Sequence, residues 1–163
     1  PGAEAMTKAE LAYCAGVIDS DGTIGVKKST YSMRVVGDSR NPNFSERICV
    51  KQVEPQAVDL LHSLFGGYRG TERPSLAKGR TLHVWQVTNQ KAAVCLQAIL
   101  PYLRIKRPQA ENCLALRKTK ERSKKERVAR GRGHAGSAPR SQAASLQMET
   151  AYMRAKELNR VGR

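Results

Sequence analysis

The segment LAYCAGVIDSDGTIGV, Leu11 to Val26, sets a helical pattern directly against a strand pattern. Thr7, with Glu10 three residues on, reads as a capping box, and Leu11, Cys14, Val17 and Ile18 form one apolar stripe. A helix is therefore predicted over 7–18. Asp21-Gly22 ends it, and the strand TIGVKKS begins at once. Two features ask for more than an amphipathic helix. Ala12 and Gly16 lie four apart with Ala9 and Ala15 beside them, a shallow groove that a second backbone can approach closely. Gly16 costs a helix interior about 1 kcal/mol relative to Ala, so a thinly covered face does not explain it. Asp19 and Asp21 fall at the helix C-terminus, where the macrodipole disfavours negative charge. On local grounds a bound divalent cation and simple Asx-turn chemistry explain these acids equally well.

The rest of the chain alternates in the same way. A polar connector containing Gly37, Asp38, Asn41 and Pro42 leads to a strand, RICVKQV, at 47–53. Pro55 opens a helix, QAVDLLHSLF, with Val58, Leu61, Leu64 and Phe65 on one face, and Gly66-Gly67 closes it. A third strand starts at Tyr68 and a fourth is RTLHVWQVT at 80–88; Asn89 is the expected cap of the helix that Pro101 ends. A further helix is predicted from about Gln109 to Arg127. The order α-β-β-α-β-β-α implies an α+β domain, a four-stranded antiparallel sheet with helices on one face. Residues 1–6 are expected to lie outside this domain at 7–127. Residues 128–145 read as a flexible basic linker and 146–163 as a C-terminal helix. There is no internal repeat.

The chain has 163 residues, with 29 Lys and Arg against 14 Asp and Glu, a net charge of +15. An excess of that size favours a polyanionic partner, above all nucleic acid. Residues 104–132 hold twelve Lys and Arg against three Glu, a pattern that suits a sequence-independent phosphate clamp. No stretch approaches the roughly 18 apolar residues of a membrane span, and no signal-peptide pattern opens the chain. The four scattered cysteines form no Cys-x-x-Cys pair, which reads as reduced, buried thiols in an intracellular, non-secreted protein.

CAGVIDSDG, residues 14–22, closely resembles the LAGLIDADG signature of homing endonucleases. Cys14, Val17 and Ser20 are mild departures; the Ala-Gly core, the Ile, both aspartates and the final Gly match. The α-β-β-α-β-β-α order is also that family's, and the resemblance runs from about residue 7 to 127. It implies that two motif helices pack side by side through Ala12, Ala15, Gly16 and Asp19. With one motif and no repeat, the chain is expected to act as a homodimer. Asp21 matches the catalytic metal ligand, joined by the Ser20 carbonyl, while Asp19 looks structural, orienting the turn. Gln52 matches the polar residue ordering the attacking water, and Lys106, in LPYLRIKRPQ, the basic residue stabilising charge. Some relatives have an arginine where Gln56 stands. Mg²⁺ or Mn²⁺ is the expected cofactor, with Ca²⁺ supporting binding without cleavage.

In that fold the outward face of a curved sheet meets DNA. Strand alternation assigns to it Lys27, Ser29, Tyr31, Arg47, Lys51, Tyr68, Glu72, His83 and Trp85, with Ile24, Val26, Ile48, Val50, Leu82 and Val84 turned inward. Arg34 and Arg40 in the connector would reach flanking DNA. The expected activity is a double-strand cut across the minor groove of a long pseudo-palindromic site, leaving short 3′ overhangs, in the service of intron homing. The alternative is a non-cleaving binder on the same scaffold, an intron RNA maturase or a regulatory DNA-binding protein. Intact Asp21, Gln52 and Lys106 speak against that alternative.

Overall fold

The computed structural model describes residues 5–29, 42–74, 78–129 and 140–160. Helix α1 (Lys8–Asp21) starts with a true capping box: the Glu10 amide donates to the Thr7 hydroxyl at 3.2 Å, and the Thr7 amide donates to the Glu10 carboxylate at 2.8 Å. It runs three residues past the predicted end because Val17, Ile18 and Asp19 are all buried, and strand β1 (Gly22–Ser29) follows without a loop. A Cβ on Gly22 would stand 2.7 Å from the Ile18 carbonyl oxygen, so only glycine permits this direct junction.

Strand β2 (Asn43–Gln52) begins four residues earlier than expected, since pairing with β1 continues out to Ser29–Asn43. Then come α2 (Gln56–Phe65), β3 (Tyr68–Glu72), β4 (Leu82–Thr88), α3 (Asn89–Ile99) and α4 (Arg107–Ala129). Asn89 is not the cap of α3: Thr88 is, and Asn89 takes a left-handed φ of 53°, which asparagine tolerates better than most residues. Helix α5 (Gln142–Arg160) starts inside the stretch that composition reads as linker, where the Ala144 amide donates to Ser141 Oγ at 3.2 Å.

The sheet is antiparallel with strand order β1-β2-β4-β3. Ile24, Ile48, Val50 and Trp85 from its inner face meet Ile18, Val58, Leu61, Leu96 and Ile99 from the helices, all fully buried. Helix α5 adds a second cluster with Phe44, Leu116, Ala144, Met148 and Ala151. It is tied to α4 by Asn112 Nδ2 donating to the Ala151 carbonyl at 2.8 Å, and to β1 by Lys28–Glu149 at 2.7 Å. Asn159 Nδ2 donates to the Ile24 carbonyl at 3.0 Å, so α5 covers the edge strand that would otherwise be open to pairing.

One charge sits inside this layer. Glu46 is fully buried, held by Arg117 Nη2 at 2.7 Å and Lys120 Nζ at 2.9 Å, which fasten α4 to the sheet. Burial pushes the Lys120 ammonium below its ordinary value, and Glu46 pulls it back. All four cysteines are free, three buried and Cys49 half-buried on the outer sheet face. Among the described residues no helix is long and apolar enough to cross a membrane.

Candidate functional site

The C-terminal end of α1 gathers the predicted acids and their partners. Asp21 is exposed, and Gln52, the last residue of β2, donates its Nε2 to Asp21 Oδ2 at 2.7 Å. Asp21 Oδ1 meets no donor among the described residues. Ser20 folds its hydroxyl back onto the carbonyls of Gly16 and Val17, at 3.1 and 3.2 Å.

Asp19 points the other way. Only 9% exposed, it accepts the backbone amides of Arg104, Ile105 and Lys106 at 2.7, 3.2 and 2.9 Å. Its carboxylate is the centre around which the turn before α4 is wrapped. That turn brings Lys106 back onto α1, where Nζ donates to the Ile18 carbonyl at 3.0 Å and to that of Asp19. An ammonium there meets the negative end of the helix macrodipole and answers the charge problem set by two acids at a helix C-terminus. Burial lowers the Lys106 pKa, against which Asp19 and Asp21 act to raise it. Asp21, Gln52 and Lys106 therefore converge on one end of one helix. Gln56, the first residue of α2, is exposed.

Among the described residues no group of three or more His, Cys, Asp or Glu gathers at one point. A single chain offers one exposed carboxylate and adjacent carbonyls. That donor set suits a hard cation that keeps most of its waters, and it falls short of a complete protein cage.

The sheet's outer face carries Lys27 and Ser29 from β1, Arg47 and Lys51 from β2, and Tyr68 and Glu72 from β3, as the register requires. Trp85 is a correction. It is fully buried on the inner face, its indole N–H donating to the Gly66 carbonyl at 2.8 Å and its ring 6.4 Å from that of Phe65. His83 shares this inner side and contacts Arg69 Nη2 through Nδ1 at 2.8 Å. The expected phase of β4 is thus reversed: Leu82, Val84, Gln86 and Thr88 lie outward. Val84 is only 4% exposed although it faces outward, because the Lys51–Glu72 ion pair, 2.7 Å long, reaches across β4 above it. Sequence reasoning misses Gln86 and Thr88, and these two polar side chains at alternate positions are the signal for the correct phase. Tyr31, Arg34 and Arg40 lie outside the described residues.

On α1, Ala12 and Gly16 are exposed, beside Tyr13 at 52% and Met6 at 37%. Ala15 and Asp19 are corrections to the expected helix-pairing surface, since Ala15 is fully buried against the core and Asp19 is engaged by the 104–106 turn. Among the described residues a Cβ on Gly16 would meet nothing within 4 Å beyond its own helix backbone.

No family model and no curated protein matches the chain. Solved structures do. Homing endonuclease I-CvuI in complex with an I-CreI target aligns over 93% of this chain and 96% of its own, with a TM-score of 0.54 and 17% identity. That complex was crystallised with 2 mM Mg and its DNA was not cleaved; another I-CvuI complex contained 2 mM Ca. Homing endonuclease I-TnaI aligns over 92% of this chain and 93% of its own, at a TM-score of 0.59 and 13% identity. The I-SmaMI LAGLIDADG homing endonuclease, bound to cleaved DNA, aligns over 86% of this chain but 42% of its own, at 0.53 and 14% identity. The order of elements, the antiparallel sheet and the acid-ended first helix together give this chain the LAGLIDADG homing endonuclease fold.

Proposed function

We propose that this protein is a homodimeric, site-specific DNA endonuclease that cuts both strands with a divalent metal. The observation that carries the reading is the meeting of Asp21, Gln52 and Lys106 at the end of α1, alongside a cationic, outward sheet face. Asp21 and the Ser20 carbonyl would hold the metal, Mg²⁺ by donor chemistry, which supplies an activated water and relief of charge at the scissile phosphate. Gln52 holds the Asp21 carboxylate in one orientation through its 2.7 Å bond. Lys106, fixed by the turn around Asp19, places a cation where a phosphate would otherwise meet two carboxylates. Lys27, Ser29, Arg47, Lys51, Tyr68 and Glu72, with Tyr31, Arg34 and Arg40, would face the duplex.

Two observations support the dimer. Nothing among the described residues approaches a Cβ placed on Gly16, so its cost of about 1 kcal/mol is best offset by a second helix pressed against the exposed Ala12–Gly16 face. The chain also aligns with less than half of I-SmaMI. Two copies related by a two-fold axis would bring two Asp21 groups together and read a pseudo-palindromic site. The minor-groove cut, the short 3′ overhangs and the homing role follow the family resemblance. Selection from a long randomised duplex library for bound and cut molecules tests the whole reading. Near-palindromic sites cut with Mg²⁺ and bound intact with Ca²⁺ are expected. A selected sequence that is bound, yet stays uncut whichever divalent ion is added, would replace it with a binding protein on this scaffold.

A further inference from the structure

A cavity bordered by the described residues lies away from Asp21. It is a groove of about 1390 Å³ between the outer face of β1 and β2 and the second half of α5. Lys27 and Arg47 lie on the sheet side, and Arg154, Lys156 and Arg160 on the helix side, with Glu157 the one carboxylate among the lining residues. Arg47 stands opposite Gly25, and its buried Nε meets no acceptor among the described residues. A buried donor left unmet costs about 1–3 kcal/mol, and none of the described residues supplies an acceptor to this guanidinium Nε.

The helix is fixed in this place. Asn159 bonds the Ile24 carbonyl, and a Cβ on Gly25 would come within 3.2 Å of Asn159 Nδ2, so α5 lies close along the edge of β1. Lys156 and Arg160, four residues apart on one face of α5, are about 6 Å apart along the helix at 1.5 Å per residue. That exceeds one phosphate and suits successive phosphates spaced about 3.4 Å along the axis of one strand.

We propose that α5 forms the outer wall of the DNA groove, with Lys156 and Arg160 on one helix face and Arg154 beside them engaging phosphates of the duplex, while Arg47 meets an acceptor on the same DNA from the floor. This rests on the reading of the outer sheet face as the DNA surface. It gives the C-terminal helix a sequence-independent role: affinity and salt dependence, with no base choice.

The test is duplex binding by the full chain carrying Arg154→Gln, Lys156→Gln and Arg160→Gln, titrated from low to high salt against a selected site and a random duplex. All three side chains are exposed, so the melting temperature should hold. The expected result is a slope of log K against log salt that is shallower by about 2–3, near 0.9 for each phosphate no longer neutralised, and an equal loss of affinity, tenfold or more, for both duplexes. Lys91→Gln, on α3 across the sheet, should leave the slope unchanged. If the triple variant melts early, Arg154→Gln and Arg160→Gln singly should each flatten the slope by about 0.9. An unchanged slope alongside good wild-type binding overturns the role of α5 and leaves the endonuclease reading standing. A loss confined to the selected site also overturns it, because the helix would then be reading sequence. Failure of the wild type to bind any duplex removes the reading on which the proposal rests.

Discussion

Asp19→Asn keeps the shape of the side chain and removes its charge, which isolates what the first motif acid does. In the structure its carboxylate accepts three backbone amides, from Arg104, Ile105 and Lys106. Hydrogen bonds to a charged group contribute about 1.5–3 kcal/mol each. Arg104 and Ile105 are exposed and would regain water, which puts each bond near the low end and the loss for Asp19→Ala at about 4.5 kcal/mol in all. Asn retains one acceptor oxygen but turns an NH₂ toward a donor, and about 1–2 kcal/mol is expected, measured by urea denaturation. The larger effect is on chemistry. A shift of about 1 Å in a catalytic group can cost about 100-fold in rate, and the 104–106 turn sets the position of Lys106. Single-turnover cleavage should therefore fall by about that factor while duplex affinity stays within about threefold. In a Lys106→Ala background, Asp19→Asn should add almost nothing to the rate loss, since it acts through a group already removed. Full multiplication of the two effects, or wild-type cleavage by Asp19→Asn, would refute the reasoning.

Gly16→Leu puts its Cβ in open space among the described residues, so the fold should be about as stable or slightly more so; sedimentation should nonetheless show a monomer, and double-strand cleavage should be lost. Glu72→Gln releases Lys51 from its 2.7 Å ion pair, and affinity for random duplex should rise with a salt slope steeper by about one. Burial pushes the Cys14 thiol up to about 11, with Glu10 adding to the shift, and the Cys113 thiol up to about 12, with Glu46 adding; Cys95 is raised too. An unfolded thiol loses its proton near pH 9, so above that pH the unfolded state sheds protons that the folded state keeps. Stability from these groups is whole below pH 9 and declines as pH rises toward their folded values, which pH-dependent urea melts should show. Iodoacetamide should meanwhile label Cys49 in the native protein and the other three only after denaturation.

The elements legible in the sequence are those governed by neighbouring residues. Thr7 and Glu10 specify a cap within one turn, and Gly66-Gly67 ends α2 where the structure has φ of 66° and 92°. The first three strands alternate cleanly enough to put Lys27, Arg47 and Lys51 on the right face. In β4, by contrast, Val84 and Trp85 are adjacent apolar residues and permit two phases. The choice is made by Phe65 and the Gly66 carbonyl, which are partners from another element that alternation does not reveal. Ala15 and Gly16 are adjacent in the same way, but about 100° of helical rotation sends one into the core and leaves the other at the surface. The link from Asp19 to Arg104 crosses 85 positions and is pure tertiary structure. Helix α5 starts earlier than its pattern suggests because Gln142 to Ser145 carry little apolar signal; Ser141 caps it and Ala144 finds a buried site against Phe44 and Leu116.

Cleavage of a selected duplex in Mg²⁺ by the wild type and by Asp21→Asn, with binding measured in parallel in Ca²⁺, addresses the central claim most directly. The account predicts that the wild type cuts both strands, and that Asp21→Asn binds the same site with similar affinity and leaves it intact. Cleavage by Asp21→Asn at the wild-type rate would contradict it.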